Sequence, residues 1–193
     1  MDDFGRENSD SNNFRVVLFT SRNKDNKTST RTIEGFKERR QSFLSYKDTD
    51  ELMEDFKIFV NKGVPGETSR FYISVNARNL TNIRRELLHA LIDDDSNRFI
   101  SSPLPYIAGI AALKENALTR KWMFDIDTKD ESILNQVKEL ISKNTVIAEE
   151  IETPNGYHII VENGFDTREL ICKFHDVTLK RDDLKLVSIA TKV

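Results

Sequence analysis

Two stretches decide the fold of this chain: Lys121–Asp130, with the sequence KWMFDIDTKD, and Glu152–Glu162, with the sequence ETPNGYHIIVE. The first is the most strand-like apolar run of the sequence, and it holds two acids, Asp125 and Asp127. Side chains two residues apart on a strand point to the same face, so we expect the two carboxylates side by side. Such a pair can offer oxygen ligands to a hard divalent cation such as Mg²⁺ or Mn²⁺.

The second stretch predicts a β-hairpin. Pro154-Asn155-Gly156 has the composition of a turn, and Tyr157–Val161 is the returning strand. His158 lies near the start of that strand. On a strand that neighbours the two acids, this histidine could meet the phosphates of a nucleotide that the metal ions carry.

Around these stretches, the spacing of the apolar residues predicts a βαββαβ order. This order is the split βαβ arrangement, a four-stranded antiparallel sheet with two helices on one face. The first and third strands of that arrangement are the central neighbours. We therefore expect Asp125, Asp127 and His158 on the open face of the sheet, opposite the helices. The predicted elements are strand Trp122–Asp127, a helix from Thr128 or Asp130, strand Thr145–Glu152, strand Tyr157–Val161, a helix from Asp166 through Phe174, and a last strand at Leu184–Ile189.

The residues before this unit predict an amino-terminal αβ module. Residues 1–13 are rich in Asp, Asn and Ser and are expected to be disordered. Residues 14–119 are predicted to form the module and residues 120–193 the βαββαβ unit, so the predicted fold class is α+β. The module's predicted elements are strand Phe14–Phe19, a helical face within 32–45, a helix from Asp48 or Thr49, strand Arg70–Val75 and a helix from Asn79 or Thr81.

The composition is typical of a cytoplasmic globular protein. The 193 residues carry a formal net charge of -3, so the chain as a whole has no electrostatic attraction to nucleic acid, and any basic surface must be local. No apolar run predicts a membrane span or a signal peptide. The single cysteine, Cys172, excludes an internal disulfide and is expected to be a buried structural thiol.

Each candidate residue also has an ordinary structural interpretation. An Asp-x-Asp pair can simply be exposed at the end of a strand. Arg120 and Lys121 precede the acidic strand and are candidates for phosphate contacts, or ordinary surface bases. The hairpin with His158 and the predicted topology favour the interpretation as a site.

WMFDIDTKD followed by TPNGYHIIVE resembles the first two motifs of the archaeo-eukaryotic primase superfamily, the primases and primase-polymerases. The resemblance covers roughly Lys121 to Val193. It implies that Asp125 and Asp127 bind metal, and that His158, in a motif that begins at Asn155, binds nucleotide phosphates. It also implies an RRM-like core, an amino-terminal module that helps to hold a template, and a third metal-binding acid on a later strand.

The implied function is that of a primase-type nucleotidyltransferase, a reduced member of phage or plasmid type. Such a protein makes or extends primers in DNA replication by two-metal phosphoryl transfer with Mg²⁺ or Mn²⁺. The implied partners are a nucleoside triphosphate, a nucleic-acid template or primer and other replication proteins, with no membrane.

The chain departs from the family pattern in the third motif. The predicted last strand, in LKLVSIATKV, has no acid; Asp182 and Asp183 lie just before it, and Asp176 lies further back. Either Asp183 joins Asp125 and Asp127 as the third catalytic metal ligand, or that ligand is missing. The alternative function is a non-catalytic RRM-like module that binds nucleic acid or protein. A third possibility is a nucleotidyltransferase that makes a small product.

Overall fold

The computed structural model describes residues 13–27, 33–92 and 96–193, so most of the predicted disordered tail lies outside the described residues. The helices and two antiparallel sheets confirm an α+β fold. Among the described residues, no helix is long and apolar enough to cross a membrane. The strands are β1 Arg15–Ser21, β2 Arg39–Ser45, β3 Thr68–Ser74, β4 Trp122–Ile126, β5 Ile147–Glu152, β6 Tyr157–Val161, β7 Val177–Lys180 and β8 Leu184–Thr191. The helices are α1 Thr49–Asn61, α2 Leu80–Ile92, α3 Ser96–Ser101, α4 Pro103–Ala111, α5 Glu131–Ser142 and α6 Arg168–Lys173.

The backbone divides into two compact units. The first contains the described residues up to Ile73, together with 77–118 and 187–193. The second contains 74–76 and 119–186. The chain therefore passes from one unit to the other more than once, and its last residues belong with the first unit.

The first unit is built on a sheet with the strand order β2-β1-β3-β8. Helix α1 packs its apolar stripe against this sheet, because Leu52 and Phe56 are buried in one cluster with Val17 and Phe71. The helix starts where the sequence predicts: the Asp48 carboxylate accepts the backbone N–H of Glu51, whose own side chain accepts the N–H of Asp48. Such a capping box satisfies two backbone groups that the first turn leaves unpaired.

The helical face that was predicted within 32–45 is wrong, because Arg39–Ser45 is strand β2. Every residue of β2 pairs with a residue of β1, from Arg15 opposite Ser45 to Ser21 opposite Arg39. Phe43 packs on the α1 core from this strand. The free edge of β1 needs a partner for its backbone groups, and this long-range pairing overrides a weak local helical pattern.

The second unit has the strand order β5-β6-β4-β7, with α5 and α6 on one face. In chain order the elements are β4, α5, β5, β6, α6 and β7, so the predicted βαββαβ order is confirmed. The first and third strands, β4 and β6, are the central neighbours, as expected. The core between sheet and helices includes Phe124, Ile126, Leu134, Val137, Ile141, Ile159, Val161, Leu170, Phe174 and Val177. Cys172 of α6 is exposed, so the expectation of a buried thiol is wrong.

The last strand of this unit was predicted in the wrong place. Its fourth strand is β7, Val177–Lys180, which pairs with β4, whereas Leu184–Thr191 is β8 of the first sheet. Val177 is buried in the second core and Leu179 packs against it. Val187 and Ala190 of β8 pack on the α1 core. Val177–Lys180 alternates apolar and polar residues and Leu184–Thr191 is mostly apolar, but neither pattern says which sheet the segment joins.

Candidate functional site

The face of the second sheet opposite the helices, called the open face below, carries a row of polar residues across its central strands. Part of the same face is covered, because Met123 and Ile160 are buried there with Val75. Asp125 of β4 is paired with His158 of β6 on one side and with Thr178 of β7 on the other. Residues directly opposite in antiparallel strands have their side chains on the same face. The next residue of β4, Ile126, is buried in the core beneath the helices, so the Asp125 row is on the open side. The predicted common face for Asp125 and His158 is therefore what the structure has.

Asp125 and His158 are in contact. His158 Nε2 lies 3.4 Å from Asp125 Oδ1, and the side chains are 10% and 28% exposed respectively. The hydrogen bond from His158 lowers the pKa of Asp125, burial opposes this effect, and the nearby charge of Lys180 lowers the pKa further. Asp125 is therefore an ionised, partly accessible carboxylate at neutral pH. His158 is buried, and its Nδ1 atom has no hydrogen-bond partner among the described residues.

Asp127 lies one residue beyond the end of β4 and is exposed. Its backbone N–H donates to the carbonyl of Asp176 at 2.8 Å, which continues the pairing of β4 with β7 past Ile126 and Val177. Asp127 and Asp176 therefore face each other at one end of the sheet. Of the three acids that were considered as a third ligand, the structure brings Asp176 to this end.

The hairpin between β5 and β6 closes tightly against the same end of the sheet. A Cβ atom on Gly156 would lie 1.8 Å from the carbonyl oxygen of Ile126, so only glycine allows this approach. The Gly156 N–H donates to Thr153 Oγ at 3.1 Å and fixes the turn. Asn155 is exposed in this turn, and it is therefore at the same end as Asp127.

Asp182 and Asp183 lie at the other end of β4. Asn76 Nδ2 donates both to Asp182 Oδ1, at 3.1 Å, and to the carbonyl of Lys121, at 3.0 Å. Asp183 accepts the backbone N–H of Leu184 with its carboxylate and that of Val75 with its carbonyl. Lys121 is four residues from Asp125, on the order of 13 Å along an extended strand. The structure does not bring Asp183 to Asp125, so Asp183 does not complete a metal site there.

The two basic residues that were predicted to contact phosphate also lie at that far end. Lys121 Nζ donates to Glu162 Oε1 at 2.7 Å. Arg120 is exposed just before it. Neither residue is close to the pair of Asp125 and His158, so the structure gives no support to a shared site.

Asp125 and Asp127 are two carboxylates at this end of the sheet that could hold a divalent ion. Among residues 13–27, 33–92 and 96–193, no group of three or more His, Cys, Asp or Glu side chains is arranged to hold a metal ion. Mg²⁺ commonly binds through one or two carboxylates and takes its other ligands from phosphates and water. The ionised Asp125 and the exposed Asp127 meet that smaller requirement.

Thr178 and Lys180 are open-face residues that the sequence interpretation missed. Lys180 is paired with Met123, which is two residues from Asp125 on the same face, and Thr178 is paired with Asp125 itself. A signal for this strand was present: Val177-Thr178-Leu179-Lys180 alternates apolar and polar residues between two polar segments. The signal is only four residues long, and the longer run at Leu184 obscured it.

Aromatic side chains do not line the open face of β4, β6 and β7 in the second unit, which is described throughout. Tyr157 is paired with Ile126 and packs against the core on the helix side, with Lys129 Nζ 5.2 Å from its ring centre. Trp122 also packs on the helix side. RRM domains stack bases on aromatic residues of the central strands, and β4, β6 and β7 carry no such residue on this face.

No protein-family model, curated protein or solved structure matches this chain. The functional interpretation therefore rests on two motifs, the strand order of the second unit, and the contacts of Asp125.

Proposed function

We propose that the second unit is a primase-like palm whose open sheet face binds a nucleoside triphosphate through one divalent metal ion, Mg²⁺ or Mn²⁺. The observation that carries this proposal is the contact between Asp125 and His158, in direct register on the two central strands. A carboxylate on an otherwise apolar strand is costly to bury, and here it is kept ionised and partly accessible. A metal ligand needs both properties.

The residues of this face have separate roles in the proposal. Asp125 binds the ion, and the exposed Asp127 at the strand end provides a second carboxylate. His158 holds Asp125 in its orientation and keeps its pKa low, so it is a positioning residue. When bound, the ion partly neutralises the charge of the phosphates. Asn155, exposed in the turn at the same end of the sheet as Asp127, would contact the nucleotide.

A second candidate function is primer synthesis or extension on a nucleic-acid template, in concert with other replication proteins. It follows from the resemblance to primases, and it requires a second metal ion. The best-placed third acid for that ion is Asp176, because it faces Asp127 across the sheet end. Against catalysis stands the strand β7, which places Thr178 and Lys180, and no acid, beside Asp125. This observation favours nucleotide binding without primer synthesis.

The binding proposal is tested by the thermal unfolding of the whole chain with ATP and MnCl₂. A ligand that binds only the folded state stabilises it by mass action, by about 2.7 kcal/mol at a hundredfold excess over Kd. We expect this gain in the wild type and its loss in Asp125→Asn. Glu139→Gln is the matched control, because it also removes one negative charge from the second unit, at an exposed α5 residue that pairs with Lys143. Equal gains in the wild type and Asp125→Asn would exclude Asp125 as the ligand.

A further inference from the structure

Lys180 is a positive charge on the open face that has no ion-pair partner among the described residues. The face assignment follows from its pairing with Met123. Diagonal neighbours on adjacent strands are about 7–8 Å apart, which places Lys180 beside Asp125. Its charge reaches that carboxylate, since it contributes to the lowered pKa of Asp125. Lys180 is partly exposed.

Other lysines around this sheet are already neutralised. Lys121 pairs with Glu162, Lys138 with Glu150, and Lys185 with Glu149. Each of these pairs would have to break before its lysine could bind an anion. Lys180 has no such competing partner, so it is the lysine of this face that is able to bind an anion.

His158 is poorly placed for direct contact with a phosphate. Only 10% of its side chain is exposed, its Nε2 atom is directed at Asp125, and its Nδ1 atom is buried. For either nitrogen to bind a phosphate, the ring would have to move out of its buried position beside Asp125. The histidine therefore acts on Asp125, and the contact to phosphate falls to another residue.

We propose that Lys180 binds the phosphates of the nucleotide on the open face, in place of His158 and of a second metal ion. This inference rests on the proposed nucleotide site at Asp125. One divalent ion neutralises only part of the charge of a triphosphate, and a fixed ammonium group supplies more positive charge on the same side. Lysine suits this role because it is a compact charge with three donors on a flexible stem. Thr178, exposed and opposite Asp125, adds a hydroxyl donor next to it.

A purely structural role for Lys180, as a counter-ion to Asp125, makes a different prediction. Removing it would then change metal binding at Asp125 by the same factor for every nucleotide, and would not weaken it, because a positive charge beside the carboxylate repels a divalent cation. A direct phosphate contact instead makes the loss depend on how many phosphates the nucleotide has. The number of phosphates therefore separates the two roles.

The experiment is isothermal titration calorimetry of the full chain with ATP, ADP and AMP in the presence of MnCl₂, which gives a Kd for each nucleotide. The variants are Lys180→Met, Lys180→Gln and Lys180→Arg, with Lys138→Met as the control. Lys138 is also on the second unit, but it pairs with Glu150, whose strand partner Ile159 is in the core beneath the helices. Lys138→Met therefore changes the net charge equally without touching the open face. The glutamine variant keeps a polar head group, so the test stands if methionine disturbs the fold.

We expect Lys180→Met and Lys180→Gln to weaken ATP binding by about tenfold, the value of one charge-assisted hydrogen bond. AMP binding should change little, and Lys180→Arg should stay near the wild type. Lys138→Met should bind all three nucleotides as the wild type does. An equal change for all three nucleotides, or ATP binding that is unchanged or tighter in both neutral variants, would overturn the role of Lys180 while leaving the nucleotide site at Asp125 intact. Absence of nucleotide binding in the wild type would overturn the proposed function together with this inference.

Discussion

His158 Nε2 lies 3.4 Å from Asp125 Oδ1, across the two central strands of the second sheet. The contact joins a buried imidazole to a carboxylate that is still partly open to solvent. It arises because the two residues are directly opposite in an antiparallel pair, where side chains on one face come closest. The pair positions one ionised carboxylate on the open face, and the following predictions test what that carboxylate does.

Replacing Asp125 by asparagine should change how stability depends on pH. The pKa of Asp125 is lowered in the folded protein, so its contribution to stability is present above the unfolded-state pKa of about 3.9 and is lost as the pH falls through the folded-state pKa. We expect Asp125→Asn to lower the free energy of unfolding by about 1 kcal/mol at pH 7. Urea denaturation at pH 7 and at acid pH measures the difference between the two proteins. That difference should shrink below pH 3.9, and a constant difference would show that the ionised form is not what stabilises the pair.

Asparagine substitutions at Asp176 and Asp183 separate the two candidates for a third acid. We expect Asp183→Asn to leave nucleotide binding unchanged, because Asp183 lies at the far end of β4. The assay is extension of a primer with labelled nucleotides and Mn²⁺, beside nucleotide titration. If the wild type extends the primer, Asp176→Asn should reduce the product and Asp183→Asn should not. If Asp183→Asn reduced the product and Asp176→Asn did not, Asp183 would be the third ligand. If the wild type bound nucleotide but did not extend the primer, the non-catalytic function would be favoured.

Alanine at Gly156 should destabilise the second unit more than alanine at Gly164. A Cβ atom at Gly156 would meet a backbone oxygen of Ile126, which cannot move without breaking the register of the central strands. At Gly164 the Cβ atom would meet the ring of Trp122, at 2.3 Å, and that partly exposed side chain can rotate. We expect Gly156→Ala to cost about 3 kcal/mol, the upper range for an overpacked site, and Gly164→Ala to cost less. Chemical denaturation followed by Trp122 fluorescence gives both values, and equal costs would contradict the assigned contacts.

The buried ion pair between Arg39 and Glu67 should stabilise the first unit strongly. Only 2% of the Glu67 side chain is exposed. Burial alone would raise the pKa of Glu67, but the N–H of Val64 and the guanidinium of Arg39 lower it below its ordinary value. Arg39→Met leaves this carboxylate buried without its counter-ion.

We expect Arg39→Met to cost about 3 kcal/mol in thermal or urea unfolding. The control is Lys47→Met, which removes the exposed partner of Asp55 and should cost much less, because solvent screens an exposed ion pair. A cost below 1 kcal/mol for Arg39→Met would mean that solvent reaches Glu67 more easily than its burial indicates.

Short-range patterns in the sequence predict most of the core of the second unit and the face on which Asp125 lies. The period-two pattern of β4 places Asp125 opposite the buried face, and the turn that ends at Gly156 pairs β6 with β5. These features are local, because a strand's alternation and a short turn act over a few residues. The same holds for the capped start of α1 at Asp48.

Long-range strand pairing places His158 beside Asp125, and it also fixes which strand completes each sheet. The run at Leu184 and the short run at Val177 both have the composition of a strand, and each could bury its apolar side in either core. The pairing of β7 with β4 puts Lys180 beside Asp125, and leaves Asp183 at the other end of the strand. Strand pairing depends on backbone hydrogen bonds between residues far apart in the chain, so the local sequence carries little information about the choice.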